Sequence, residues 1–265
     1  MQTTLDVVLS KKYLIAALSG IVIFNAVSNL IGKDFAIFAG NLAYIPVAGS
    51  FLVLSILILI RFGTNGMHGI AWVSFGGYAI SWFIAEVLWI VQELYLKINP
   101  FPSAADIFYL VGYPFLIIFF IAYLQPMRSA ITKKMIAVSS AFSIGILGIS
   151  MYSVFSTTTN DDVFELVLAT IYPVFDAVII IPALIGVGLF FKGHVNLMWT
   201  LLCLGSISVF AADTAFLLEQ NEESYYTGNP MEILFYWNYV LLAFGVHNHL
   251  NLFHTQQGSK LEDLR

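Results

Sequence analysis

Eight apolar runs, each of membrane-spanning length, follow one another along the chain, and nothing constrains its fold more. They cover residues 13–31, 35–62, 69–93, 104–124, 134–155, 163–191, 197–219 and 231–253. At 1.5 Å per residue each is long enough for a hydrocarbon layer about 30 Å thick. In that layer every backbone N–H and C=O must be satisfied within the segment, so helices are the spanning form for such runs. Short breakers separate the runs: Gly32-Lys33, 63–66, Asn99-Pro100, Gln125-Pro126, Gly193 and 228–230. The expected fold class is all-α, a polytopic membrane helical bundle of about eight transmembrane helices. In the second run Asn41, Pro46 and Gly49 interrupt the apolar pattern, and the run is expected to begin as a half-helix.

Charge fixes the expected orientation. With eight spans, Lys11, Lys12, Arg61, Arg128, Lys133, Lys134, Lys192, Lys260 and Arg265 share the side of both termini, and only Lys33 and Lys97 lie opposite. Nine cations against two place both termini in the cytoplasm of a multi-pass cell-membrane protein. The opposite side is acidic, with Asp34, Glu93, Asp161, Asp162, Glu165, Glu219, Glu222 and Glu223. Seven spans would break this segregation. The first ten residues hold Asp6 and no basic stretch, so the first run reads as a retained span and not a cleaved leader.

Hydrophobic residues make up 59% of the 265 and charged ones only 10%. No stretch is polar enough for a soluble catalytic domain or a nucleic-acid reader, and the partners expected are the bilayer and a small-molecule or lipid ligand. Gly-x-Ser-x-Gly, His-Glu-x-x-His and phosphate-loop motifs are absent, and no lysine lies within a run to carry a retinal Schiff base. The lone Cys203 allows no internal disulfide. His247, His249 and His254 cluster near the end of the last run, but their spacing does not put His247 and His249 on one helical face. His68 and His194 stand alone at run edges, so no metal site and no particular cofactor is assigned.

Five carboxylates, Glu86, Asp106, Asp176, Asp213 and Glu232, lie in or at the edges of the runs. A charge at the bilayer centre costs roughly 2.5–3.5 kcal/mol on insertion scales, so such groups face an interior, a wet cavity or a partner. All five fall in the half of the bundle away from the termini. Asp106 and Glu232 open their helices, where Ser103-x-x-Asp106 has the form of a capping box, and capping is the expected role for both. Glu86, Asp176 and Asp213 have no such role and are either structural hydrogen-bond partners or ligand groups. Trp82, Glu86 and Trp89 share a helix face, and a carboxylate framed by indoles suits a cationic or amphipathic ligand. Tyr109, Tyr113, Tyr172, Trp237 and Tyr239 lie close to the acids, whereas Tyr95, Phe101, Tyr225 and Tyr226 read as interfacial aromatics.

The chain also repeats itself. Pro46-Val47 matches Pro173-Val174 and Ala85-Glu86 matches Ala212-Asp213, both at an offset of 127. Asp106 matches Glu232, and Tyr113 matches Tyr239, at 126. The organisation expected is a tandem four-plus-four duplication, with halves 1–130 and 131–255 and a cytoplasmic tail 256–265. An even number of spans per half gives both halves the same orientation about an axis along the membrane normal. Glu86 would then meet Asp213, and the hinge prolines Pro46 and Pro173 would face each other, across that axis.

Pro102-Ser103-x-x-Asp106-x-x-Tyr109-x-x-x-Tyr113-Pro114, then Tyr172-Pro173-x-x-Asp176, then Asp213, Tyr226-x-Gly228 and Trp237-x-Tyr239 complete the pattern. These residues, spread over spans three to eight, resemble the multi-span sensory region ahead of some bacterial diguanylate cyclases and histidine kinases. The resemblance implies a membrane-embedded sensory module. Those relatives carry a cytoplasmic output domain, so the expectation here is a separate cytoplasmic signalling partner. The expected function is a sensor or receptor-like binding protein. Glu86, Asp176 and Asp213, with Trp82, Trp89, Tyr113, Tyr172 and Tyr239, would line an outward-facing pocket, and Asp106 and Glu232 would cap helices at its rim. A carboxylate-dependent transporter and an intramembrane lipid-modifying enzyme are the rival expectations.

Overall fold

A computed structural model describes residues 4–157, 163–191 and 195–262, with side chains from 11 to 251 within those ranges. The charges at Asp161, Asp162, Lys192 and Arg265, the side chains of His254 and Lys260, and His194 all lie outside the described set.

Eight long helices carry the described chain: α1 (Thr4–Ile31), α2 (Lys33–Phe62), α3 (Gly66–Ile90), α4 (Ala104–Leu124), α5 (Lys133–Thr157), α6 (Val163–Leu189), α7 (Asn196–Asn221) and α8 (Glu232–Glu262). No strand occurs among the described residues. Among the described residues seven helices, α1 to α7, are long and apolar enough to cross a membrane. Glu232, Asn238, Asn248 and His249 lower the apolar content of α8, yet all four side chains are buried in the bundle. Leu30, Ile60 and Ile149 instead stand exposed on its outside, an apolar surface of the kind lipid covers.

Each helix packs on its chain neighbour within the segments α1–α4 and α5–α8. The segments are joined chiefly by α2 with α8, α4 with α6 and α1 with α8. The most buried spans are α3, α6 and α7, while α1 and α5 lie at the periphery.

The half-helix expected at the start of the second span does not occur, because α2 runs unbroken through Pro46. Asn41 Nδ2 donates back to the Ile37 carbonyl and across to Glu93, so its amide protons are taken up without opening the helix, while the buried Oδ1 has no partner among the described residues. Nor do Pro46 and Pro173 face each other. Pro46 lies on the exposed side of α2, whereas Pro173 is buried in α6. The buried faces correspond at a different offset. Gly40, Asn41, Tyr44, Ala48, Phe51, Ser55 and Ile58 of α2 fall, 128 residues on, at Leu168, Ala169, Tyr172, Asp176, Ile179, Ala183 and Gly186 of α6, and all of these are buried. Matching the prolines displaces this helix pair by one residue, about 100° of helix rotation.

Candidate functional site: an acidic aromatic cavity

Four carboxyl groups, Glu86, Asp106, Asp213 and Glu232, line one cavity at the end of the bundle away from the termini. Its volume is about 60 Å³. A single water needs roughly 10–15 Å³ measured in this way, so there is room for a handful of waters or a small ligand. Aromatic rings form most of the wall. Trp82 and Trp89 come from α3, Tyr109 from α4 and Tyr172 from α6, while Tyr44, Phe216 and Phe235 face in from α2, α7 and α8. Phe101 and Tyr225 reach in from the connecting segments. Among the described residues that form the wall there is no Lys, Arg or His.

Every one of these carboxyls accepts from a tyrosine on another helix. The Tyr239 hydroxyl donates to Glu86 Oε1 at 2.5 Å, and the Tyr109 hydroxyl faces the same group. Tyr172 donates to Asp106 Oδ1 at 2.7 Å. Tyr113 lies 2.9 Å from Asp213 Oδ2 and 2.8 Å from Asp176 Oδ1. Tyr44 and Tyr225 both donate to Glu232. Burial, reinforced by the Glu232 and Glu93 carboxylates, pushes the Tyr225 phenol up, so that it remains a donor.

The structure distributes the expected site residues differently from a single ring of liners. Asp176, Tyr113 and Tyr239 sit behind the wall and hold the carboxyls that form it. Neither indole bonds Glu86: Trp82 Nε1 donates to the Tyr109 carbonyl and Trp89 Nε1 to Thr227 Oγ1. Asp106 completes the capping box with Ser103 and also faces the cavity through its second oxygen. At the start of α8 the capping role belongs to Asn229, whose Oδ1 accepts from the Met231 N–H, which leaves the Glu232 carboxyl to the tyrosines. Trp237 points away, to the Leu18 carbonyl on α1.

Phe101 and Tyr225, expected at the membrane interface, instead roof the cavity. Tyr44 is a further member not singled out from the sequence, although its match to Tyr172 at an offset of 128 was available as a signal. Tyr95, by contrast, is exposed at 82% and fits an interfacial position. His249 is buried against Trp72, Tyr123 and Phe62. Among the described residues no group of three His, Cys, Asp or Glu side chains is arranged to hold a metal ion.

The roof is pinned by α1 and α2. Asn25 Nδ2 donates to the Gly228 and Asn229 carbonyls, both at 2.9 Å, and Asn29 Nδ2 to Gly228 O at 2.8 Å. Gly228 has φ +89°, and a Cβ there would lie 2.3 Å from the Ala36 carbonyl oxygen. A Gly228→Ala protein is therefore expected to lose about 1–3 kcal/mol through strain and displacement of the segment. Thermal unfolding in detergent measures the loss, and faster proteolysis between α7 and α8 would locate it. An unchanged melting temperature would mean that this contact does not hold the roof.

No protein-family model matches the chain, and no curated protein or solved structure is significantly similar to it.

Proposed function

We propose that the chain is an integral-membrane binding protein of the sensor type, whose cavity takes a small organic cation. One observation carries this reading: four carboxyls and nine aromatic rings converge on a cavity with no cationic side chain in its wall. Carboxylates offer charge-assisted hydrogen bonds worth roughly 1.5–3 kcal/mol each, and a ring face adds about 0.5–2 kcal/mol for a desolvated cation. The same wall repels anions. An ammonium group with a short alkyl chain satisfies both kinds of surface.

The expected orientation, with both termini cytoplasmic, places the cavity in the outer half of the membrane, so the ligand enters from outside. Eight spans in two like-oriented halves are part of the reading, and the hydrogen bonds support the duplication. Exchanging the halves carries Tyr44–Glu232 onto Tyr172–Asp106, and Tyr239–Glu86 onto Tyr113–Asp213. The offsets are 128 for the α2/α6 tyrosines, 127 for the α3/α7 acids and 126 for the α4/α8 residues. The exchange also interchanges two of the pairings that join the segments, α2 with α8 and α6 with α4, whereas the packing of α1 on α8 has no comparable counterpart between α5 and α4. Trp89 and Phe216 occupy matched positions and meet each other, with ring centroids 5.9 Å apart, which puts them on the axis. Occupancy of a cavity on that axis biases how the halves pack, and a separate cytoplasmic partner reads the change at the basic inner ends.

A carboxylate-dependent transporter is the second reading. Parallel repeats of this kind and the prolines inside α4 and α6, Pro114, Pro173 and Pro182, favour it.

Thermal unfolding of the purified protein with butylammonium or tetramethylammonium tests the binding claim. Both are expected to raise the melting temperature saturably, butyrate is not, and Glu86→Gln is expected to weaken the butylammonium effect at least about tenfold. An equal response to butyrate, or none to either cation, would overturn the reading. Butylammonium flux into proteoliposomes would decide for the transporter.

A further inference from the structure

Asp176 breaks the correspondence between the halves. At the offset of 128 its position matches Ala48, and both side chains are buried. It lies behind the cavity wall, joined to it through Asp213.

Proton counting makes this pair unusual. The Tyr113 hydroxyl is 2.8 Å from Asp176 Oδ1 and 2.9 Å from Asp213 Oδ2, but a phenol has one proton and donates to one acceptor at a time. The two carboxyls are themselves within hydrogen-bonding reach. Asp176 is 1% exposed, and no protein donor serves its Oδ2. Two ionised carboxylates would leave lone pairs opposed and unscreened, whereas one shared proton satisfies both contacts. Among the described residues no cation faces the pair. The groups facing the pair are Tyr113 and Asp106 on α4, Tyr172 on α6 and Tyr78 on α3, and α5 presents the non-titrating Ser143, bonded to the Ala177 carbonyl.

We infer that Asp176, Tyr113 and Asp213 form a proton-binding site, and that a cation entering the cavity beside Asp213 displaces the proton. The inference rests on the cation reading of the cavity. Before binding, the two carboxyls carry one proton and one negative charge. Afterwards both are ionised beside one ammonium, and the proton has left through the cavity to water. Charge inside the bundle is unchanged, which avoids the cost of burying an uncompensated ion. In the first half Ala48 stands at the matched position, so a pair bridged in this way by one tyrosine occurs once, and about one proton leaves it per cation.

Infrared spectra of the wild-type protein at neutral pH should contain the carbonyl stretch of a protonated carboxylic acid that is missing from both Asp176→Ala and Asp176→Asn. Calorimetric titration with butylammonium, repeated in buffers of different ionisation enthalpy, should show about one proton released per amine. Wild-type affinity should rise about tenfold per pH unit below the release midpoint. Both variants should still bind butylammonium, with release near zero and a flat pH profile. The asparagine variant keeps the packing volume should the alanine variant fail to fold. No missing band, binding without proton release, or release that survives in both variants overturns the inference and leaves the cavity reading intact. Failure of butylammonium to bind overturns the cavity reading, and the exchange with it.

Discussion

Truncation of Trp199 to alanine is expected to destabilise the bundle by about 3–5 kcal/mol, and Trp72→Ala by a similar amount. Both indoles are fully buried. They occupy matched positions, at an offset of 127, near the end of the bundle that holds the termini. Trp199 stacks on Phe190 at 5.3 Å and 22°, and Trp72 on Phe62 at 5.9 Å and 21°. Each then meets a ring from the partner segment, Tyr123 at 5.2 Å for Trp199 and His249 at 5.1 Å for Trp72. Removing either indole empties a site walled by rings on several helices, which cannot collapse around an alanine. Unfolding of the purified variants by denaturing detergent measures the two losses. If Trp72→Ala costs less than about a third of what Trp199→Ala costs, the equivalence of the two halves is wrong.

Removal of the Glu232 carboxyl is the second large effect. Glu232→Ala leaves the Tyr44 and Tyr225 hydroxyls without their acceptor. Tyr44 has little freedom to turn away, because it is 5% exposed and stacked on Tyr236 with centroids 4.3 Å apart. Each buried donor left unmade costs roughly 1–3 kcal/mol, so a loss of about 2–6 kcal/mol is expected. Glu232→Gln keeps a carbonyl oxygen in place and should cost about 1 kcal/mol. Thermal unfolding of the two variants side by side separates packing from hydrogen bonding. Equal and small losses would mean that the tyrosines find other partners.

Much of this was readable from the chain because a bilayer leaves few options. Apolar runs of about twenty residues mark helices, and acids inside them mark an interior. The proposed repeat has its signal in the chain too, but its register does not. Prolines looked like the best markers because they are rare in spans, yet Pro46 lies on the outer surface, where packing does not fix its position. Tyr44 and Tyr172 are held by buried carboxyls on α8 and α4, and they keep the register that the prolines miss. Phe101 and Tyr225 were misread for another reason. An aromatic at a span end has the same local sequence whether it faces headgroups or folds inward; for Tyr225 the segment is held by Asn25 and Asn29 some 200 residues away, and Phe101 packs on Phe216 of α7. The cost of a charge within a span placed Asp176 toward an interior without showing that Tyr113 and Asp213 would meet it there.

Trp82 and Trp89 stand in the cavity wall and report directly on what enters it. Titrating the purified protein with butylammonium while following tryptophan fluorescence is the most direct measurement. A cation site gives a saturable change that is lost in a Trp82→Phe/Trp89→Phe double variant and shifted at least about tenfold to higher concentration by Glu86→Gln. A flat titration, or one that Glu86→Gln leaves where it was, would contradict it.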